Sequence, residues 1–525
     1  MVLEKDLKNS EGDELIDKDR LKEALEPLVN ELIDLKENGI IIDGEKIQVC
    51  VMFLLGDSLG QNFIGRFVQN FSSAQFSCRF RTMSKDEFFN DPSETKSFRT
   101  VEEYNNYVDL AKAKWQQVRR QSIKAQQRTA PNRKVVRNLQ SAISASAFKR
   151  LLAINYRGVK YRPSPFNRSK LRFHVVSHQP PCLAHDLFEG IIKAVVPNIL
   201  KSVIERGWFD LKTLNRRIAG FTCKGTDALD KPKPLKSLDS LCGNAVENWN
   251  FLRLLPLIIG DLIQDEEDPH WQMILNLQEI TALVCAPKIS RVQVEYLRSL
   301  IGEYLCNVKE HFPEKLTPKH HYLGHYTDLI LRFGTLLRLF TLRFESRHAF
   351  FKRVIKTCRN YINITYTMAR KYMCRSAYDR STNLLPDDVL YKEKSSVDLG
   401  VIPEELRVFI STDFQELEKL SIFGTEYQRD HYLILGSHEG SALKVGSVKK
   451  MFLKLSTNEV YFLLQEQRAC NTYRGYYQIE ETPNKSFILK AAEELADYYP
   501  LPAYIVNGKS CLCLKHSVIC MHEGQ

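Results

Sequence analysis

The sequence has no acidic residue over one long internal stretch and no apolar run that could cross a bilayer. No segment approaches the roughly 20 apolar residues that a membrane helix needs, so we expect no membrane partner. The first residues are acidic and polar, unlike a signal peptide. The 13 cysteines are an odd number spread over 525 residues, and without a secretory signal we expect reduced thiols.

The acid-free stretch runs from Leu110 to His185 and contains 17 Lys and Arg. Taking these 17 charges from the net charge of +11 leaves −6 for the rest of the chain. One basic block on a mildly acidic protein favours a polyanion such as nucleic acid over the alternative, a solvated loop. The candidate nucleic-acid contacts in this block are Arg119, Arg120, Lys124, Arg128, Arg133 and Lys134.

Hydrophobic periodicity predicts a mixed α/β chain. Residues 1–40 have a helical pattern, and the apolar run KIQVCVMFLLGDSLG from residue 46 predicts a buried strand. RFHVVS at 172–177 predicts a second strand, and nearly everything from about 190 to 318 predicts helices. From about 401, short strands separated by turn residues predict a small β domain. Residues 110–150 are either a long exposed helix or a flexible insert.

Asp57 stands where the first predicted strand ends, inside Leu55-Gly56-Asp57-Ser58. A carboxylate at the end of a buried strand is well placed to hold a divalent cation on a rigid frame. A turn-forming Asp beside Gly is the common alternative. The same segment, GDSLGQNFIG, lacks the Gly-Lys-Ser/Thr ending of a phosphate loop, so we expect no nucleotide cofactor.

Two Cys/His pairs have the spacing of metal ligands. Cys182 and His185 are three residues apart, and His321 and His325 are four apart, so that on a helix both histidines point to one side. Together the four residues make a Cys/His₃ set that predicts a structural Zn²⁺ site. The alternative is a buried Cys beside a satisfied His, and an ordinary histidine pair on an amphipathic helix.

Glu345 opens a basic segment that also contains Arg347, Lys352 and Arg353. In a nuclease such a Glu would complete a metal site while the basic residues face phosphates. Asp186 follows His185 at the start of a predicted helix, where it could bind a cation or simply favour the helix dipole. Asp57, Asp186 and Glu345 are thus three candidate metal-binding carboxylates. Two Mg²⁺ (or Mn²⁺) ions bound by carboxylates can clamp the attacking and leaving oxygens of an in-line displacement.

Taken in order, several segments resemble the CACTA (En/Spm-like) transposase-like proteins of animal genomes. The resemblance covers roughly residues 20–525, and it is carried by LLGDSLGQNFIGRF, FSCRF, QPPCLAHDLFEG, AVENWNFLRLLPLIIG, PKHHYLGHYTDLI and LRFGTLLRLFTLRFESRHAFFKR. The spacing of Cys182, His185 and the later histidine pair also resembles the Transib-derived recombinase core, which implies a structural zinc. Two positions depart from the pattern: Cys182 stands where many relatives have Asp, and Arg81 stands where relatives tend to have Cys.

The resemblance implies an RNase H-like core split by an all-α insertion. It divides the chain into an N-terminal helical lead (1–45), the first part of the core (46–190, with the basic insert 110–150), the insertion (191–318), the completion of the core (319–400) and a small β domain (401–525).

The function implied is a transposase-derived protein with a metal-dependent DDE-type core for DNA cleavage and strand transfer, acting on double-stranded DNA in the nucleus, as a homo-oligomer. The alternative is a domesticated, non-catalytic protein that binds DNA or other proteins. The resemblance implies that Asp57 takes the first catalytic place and Glu345 the last. Because Asp186 is the nearest acid to the position of Cys182, it is the candidate for the second catalytic carboxylate.

Overall fold

The computed structural model divides the chain into two compact units of mixed α/β structure, each built from two chain segments. Unit 1 comprises Met1–Asp186 and Leu305–Cys374, and unit 2 comprises Leu187–Tyr304 and Arg375–Gln525. The predicted segment boundaries at 46, 191, 319 and 401 do not coincide with this division. The structure describes residues 19–94, 96–129, 150–359, 362–381, 389–410, 412–437, 442–473, 475–480 and 485–518.

Unit 1 is mostly helical, and its helix starts are set by short polar residues. Asp19 caps the first helix, Asp57 caps the second, and Ser84 forms a capping box with Glu87 at the third. In the N-terminal segment the elements are α1 (Arg20–Glu37), β1 (Ile40–Ile42), β2 (Glu45–Ile47), α2 (Ser58–Ile64), α3 (Lys85–Asn90), α4 (Val101–Thr129), β3 (Asn155–Tyr156), β4 (Val159–Lys160) and α5 (Val175–His178).

The second segment of unit 1 continues with short helices. They are α11 (Pro318–Leu323), α12 (Tyr326–Phe333), α13 (Leu342–Glu345) and α14 (Arg347–Cys358). The helices α10 (Arg291–His311) and α15 (Ile364–Ser381) each contain a boundary between the two units.

The buried strand predicted from residue 46 is wrong beyond the short hairpin β1–β2. Residues 48–57 are neither helix nor strand. Val51 and Leu54 pack against the unit 1 core, while the backbone makes isolated hydrogen bonds such as that from the Leu54 N–H to the carbonyl of His178 (2.9 Å). The apolar run thus reflects side-chain packing without a ladder of strand hydrogen bonds.

The second predicted strand, 172–177, is also wrong. Arg172 has a positive φ of 50°, Phe173 makes a single bridge to Arg168, and the chain then turns into α5. Among the described residues of unit 1, the sheets are the two hairpins β1–β2 and β3–β4. The mixed α/β class is therefore confirmed, whereas the central sheet of an RNase H-like core is not.

The hairpin β3–β4 turns through Arg157 and Gly158, both with positive φ (44° and 83°). A Cβ on Gly158 would lie 2.3 Å from the carbonyl oxygen of Phe76, so only glycine fits this close approach. The Arg99 guanidinium donates to the carbonyl oxygens of Arg157 (3.2 Å) and Cys78 (3.1 Å). The turn is thereby joined to the loop that contains Cys78.

Unit 2 begins with helices, as its hydrophobic periodicity predicts. Asn244 forms a capping box at one helix, and Asp268 with Pro269 starts the next. A π-helix spans Ala184–Ile192, and it is followed by α6 (Lys193–Glu205), α7 (Leu211–Gly220), α8 (Ala245–Ile259), α9 (Pro269–Val284) and α10. The helical prediction for 191–318 is confirmed.

In the C-terminal part of unit 2 the described residues form an antiparallel sheet of ten strands, which confirms the predicted β region. The strands run in the order β13-β14-β11-β10-β9-β6-β5, with β12 beside β10, β7 beside β6 and β8 beside β9. A short helix, α16 (Glu404–Arg407), precedes most of them. The strands are β5 (Val389–Ser396), β6 (Phe414–Ile422), β7 (Thr425–Tyr427), β8 (Tyr432–Ser437), β9 (Leu443–Lys454), β10 (Glu459–Tyr473), β11 (Tyr476–Ile479), β12 (Phe487–Ala491), β13 (Ala503–Val506) and β14 (Lys509–Cys513).

A buried ion pair lies beside this sheet. The Arg253 guanidinium on α8 pairs with Asp227 and donates to the carbonyl oxygen of Cys513 on β14 (3.2 Å). The Tyr504 hydroxyl on β13 donates to Asp227 (2.8 Å). Arg253 is 4% exposed and Asp227 is 1% exposed, so the pair is shielded from water.

Candidate metal centre

Cys78 lies in the loop before α3, and its sulfur is held by the backbone. The N–H groups of Phe80 and Arg81 both donate to Sγ at 3.3 Å. This arrangement points two dipoles at the sulfur, which partly offsets the effect of burial on the thiolate, the form that binds metals. The side chain is 2% exposed.

His321 and His325 come to the same place from the second segment of unit 1. The sequence predicts them on one helix, but α11 ends at Leu323 and His325 stands at the N-cap of α12. Their Nε2 atoms are 3.0 Å apart, and the Nε2 of His325 is 3.4 Å from the Sγ of Cys78. The candidate ligand atoms of all three residues lie within 4.8 Å of one another, and all three residues are buried. This metal cluster of Cys78, His321 and His325 could bind a metal such as zinc.

Burial sets the protonation of the metal cluster. It lowers the pKa of His321 to about 3, with a smaller contribution from Arg81, and it lowers the pKa of His325 well below its ordinary value. Burial also raises the pKa of the Cys78 thiol, against the two backbone N–H groups. Near neutral pH the imidazoles are therefore neutral and ready to bind, while the thiol must release its proton when a metal binds.

The predicted partners Cys182 and His185 are not in this cluster. They form a pair of their own, with Sγ 3.2 Å from Nδ1, and the Cys182 sulfur shares a hydrogen bond with the Thr341 hydroxyl (2.7 Å). Within the described residues, the one group of three or more Cys, His, Asp or Glu with metal-ligand spacing is the metal cluster. The predicted Cys/His₃ set is thus replaced by one in which Cys78 takes the place of Cys182 and His185.

The sequence contains a signal for Cys78 that spacing alone did not reveal. Cys78 lies 247 positions before His325 in the chain, and the segment FSCRF contains no second Cys or His beside it. FSCRF is one of the segments that carry the resemblance, and membership in that segment is the signal that could have identified Cys78.

Two of the three predicted catalytic carboxylates have structural contacts. Asp57 caps α2 and accepts the N–H of Gly60 at 2.6 Å. Asp186 is 0% exposed and accepts the Ser58 hydroxyl at 3.2 Å. Burial raises the pKa of Asp186, an effect opposed by the nearby charges of Arg79 and Lys319.

Ser58 directly follows Asp57 in the chain, so its hydrogen bond connects the start of α2 with Asp186. Glu345 is the last residue of α13, and its side chain lies outside the described part of the structure. The three carboxylates remain a prediction as a Mg²⁺ site.

The predicted nucleic-acid contacts fall on two helices. On α4, Arg120 and Lys124 are exposed, and the Arg119 guanidinium stacks over Trp115 at 5.3 Å. On α14, Arg347, Lys352 and Arg353 are all exposed. The side chain of Arg128 and the whole of Arg133 and Lys134 lie outside the described residues.

A scan of protein-family models finds no match to this chain, and a search of curated proteins also finds none. No helix in the described part of the chain is both long and apolar enough to cross a membrane.

Proposed function

We propose that the protein is a transposase-derived DNA-binding protein that no longer cleaves DNA. The proposal rests on the family resemblance of the sequence for its origin, including the RNase H-like ancestry of the core, and on α14 for DNA binding. The nuclear location and homo-oligomeric state belong to the same proposal.

The observation that carries DNA binding is the basic surface of α14. No Asp or Glu occurs from Ser346 to Tyr378, while this stretch has eight Lys and Arg. Arg347, Lys352 and Arg353 are exposed, and no carboxylate among the described residues forms a salt bridge with them. Exposed cations that form no salt bridge with a described carboxylate are available to neutralise phosphates.

The same surface is held firmly. Phe350 and Phe351 on α14 pack on Tyr372 of α15, with ring centroids 5.9 and 5.5 Å apart. Aromatic packing of this kind holds α14 against α15. The basic side chains of α14 would therefore keep a constant spacing along the phosphate backbone of a bound duplex. A positioned basic helix, more than a solvated charge run, favours recognition of duplex DNA.

The test is the salt dependence of binding to a fluorescent 30-base-pair duplex, followed by anisotropy. The slope of log K against log salt is negative, and each lost phosphate contact makes it less steep by about 0.9, so the variant R347A/K352A/R353A should make it less negative by about 2.7. The matched control K212A/K231A/K236A removes three exposed lysines of unit 2 and should leave the slope unchanged. Equal losses in both variants would attribute binding to net charge alone.

Retained cleavage is the second candidate function, and the Ser58 link between the Asp57 position and Asp186 favours it. Against it, Asp57 is engaged as a helix cap and Asp186 is fully buried, whereas a two-metal site needs accessible carboxylate oxygens. We expect no Mg²⁺- or Mn²⁺-dependent nicking of supercoiled plasmid by the purified protein. Nicking that is abolished by Glu345→Gln and Asp186→Asn would instead establish an active DDE core.

A further inference from the structure

We propose that the metal cluster is an open site, in which three protein ligands hold a zinc-type ion and the fourth ligand is a solvent molecule that exchanges with small anions. This goes beyond DNA binding, and it stands on the geometry of unit 1 alone.

The first step is the fit of the donor set. Zinc bonds of roughly 2.3 Å to sulfur and roughly 2.0–2.1 Å to nitrogen separate tetrahedral ligand atoms by roughly 3.3–3.6 Å. The observed separations are 3.4 Å from the Cys78 sulfur to the Nε2 of His325 and 3.0 Å between the two Nε2 atoms, and the ligand atoms of Cys78 and His321 lie within 4.8 Å of each other. Small movements of these side chains would therefore complete three corners of a tetrahedron. One thiolate and two imidazoles suit zinc or cobalt better than a hard cation.

The second step is the fourth corner, which the nearest side chains do not fill. Arg81 is three residues after Cys78, where a C-x-x-C site would have its second thiolate, and its guanidinium pairs with Asp328. The Nδ1 of His320 lies 3.2 and 3.0 Å from the backbone nitrogen and hydroxyl of Thr317, and His320 is not among the residues whose ligand atoms lie within 4.8 Å of one another. Among the described residues, no fourth Cys, His, Asp or Glu joins the cluster.

The third step is a small pocket that reaches the cluster. Cys78 and His321 form part of its wall, beside Phe88 and Met83, and Lys85 lies at its edge. Its cavity volume of about 20 Å³ holds one water molecule. A metal ion bound to Cys78 and His321 would therefore meet solvent at this pocket.

The fourth step is charge. The thiolate of Cys78 would offset one of the two charges of the ion, and Arg79 and Arg99 are close enough to act on Cys78, whereas the charge of Arg81 is paired with Asp328. The surroundings thus leave excess positive charge, which favours hydroxide or a small monodentate anion as the fourth ligand. Binding itself releases one proton: the Cys78 S–H bond breaks, the sulfur–metal bond forms, and the proton goes to solvent.

The experiment loads the full-length protein with Co²⁺ and titrates it with azide while the visible absorption is recorded. An open site shows the cysteine-to-cobalt charge-transfer band and a saturable change of the visible bands with azide. A charge-transfer band without any azide response would show a closed site, and no such band would show that Cys78 is not a ligand. Either result overturns the proposal without the use of a variant.

Arg81→Cys sharpens the test because it adds a thiolate at the C-x-x-C position. We expect this variant to bind Co²⁺ at least tenfold more tightly, to gain charge-transfer intensity and to lose the azide response. Arg81→Gln breaks the same ion pair with Asp328 without adding a ligand, so it should respond to azide like the unchanged protein. Loss of the azide response in both variants would attribute the effect to the broken ion pair and contradict the assignment of position 81 to the fourth corner.

Discussion

The two units accommodate their buried polar groups in different ways. Among its described residues, unit 2 has a ten-stranded sheet, hydrophobic clusters on its strands, and one tightly paired buried arginine, Arg253. Unit 1 has two-stranded sheets among its described residues and three buried arginines, Arg79, Arg81 and Arg99, around the metal cluster. Regular hydrogen-bond ladders thus organise unit 2, whereas side-chain contacts to loops and, we propose, a metal organise unit 1.

The largest expected effect falls on unit 2. Arg253→Met leaves Asp227 as a buried charge without its partner, which should lower the free energy of unfolding by about 3–5 kcal/mol. Calorimetry of the full-length protein measures the loss, and hydrogen exchange assigns it to β13 and β14. The double variant D227N/R253M removes both charges and should recover much of the stability. If single and double variants lost the same amount, packing of the Arg253 side chain would be the cause instead.

Metal removal should destabilise unit 1 and leave the stability of unit 2 unchanged. A metal present at a thousandfold excess over its Kd stabilises the folded state by about 4 kcal/mol. After chelation we expect faster hydrogen exchange in α11, α12 and the loop of Cys78, and unchanged exchange in β9 and β10 of unit 2. The variant Cys78→Ser should show the fast pattern even with zinc present. Equally faster hydrogen exchange in both units would contradict a stabilising metal that acts on unit 1 alone.

Acid should weaken unit 1 through His174. Burial, helped by His178 and opposed by Glu102, lowers the pKa of His174 to about 4 from its ordinary 6.5. Because the unfolded chain takes up the proton first, this stability is present above pH 6.5 and is lost as the pH falls toward 4. The effect is at most about 3 kcal/mol, since part of the side chain reaches solvent.

Thermal unfolding between pH 7 and 4 measures this loss. His174→Asn keeps an acceptor for the Val176 N–H that His174 caps, and it does not titrate, so it should lose less stability over that range. An identical pH profile for both proteins would exclude His174 as the titrating group.

The elements that the sequence predicts well are those in which local pattern and burial agree. The helices of 191–318 and the strands from Tyr432 onward have a clear period, and they form as expected. The apolar run at 48–57 failed because its side chains pack without strand partners, and sequence shows the packing preference but not the missing ladder. The same limit applies to Val175 and Val176, β-branched residues that α5 places in a single helical turn.

The candidate site was predicted in part for a related reason. His321 and His325 are close in sequence, and the structure brings them together. Their partner Cys78 is far away along the chain, and the spacing rule selected Cys182 and His185 because these also have ligand spacing. The buried position of Asp186 depends on contacts from several segments, which no local pattern records.

The metal cluster depends on residues other than its three ligands, because the turn at Gly158 supports the loop that contains Cys78. The backbone of the turn approaches the carbonyl oxygen of Phe76, two residues before Cys78, and Arg99 joins the turn to the Cys78 carbonyl oxygen. The added Cβ of Gly158→Ala would clash with the loop that contains Cys78. We therefore expect this substitution, at a residue that is not a ligand, to have the same phenotype as a substitution of a ligand. A position with no functional side chain should therefore tolerate little mutation, because its backbone supports the loop of Cys78.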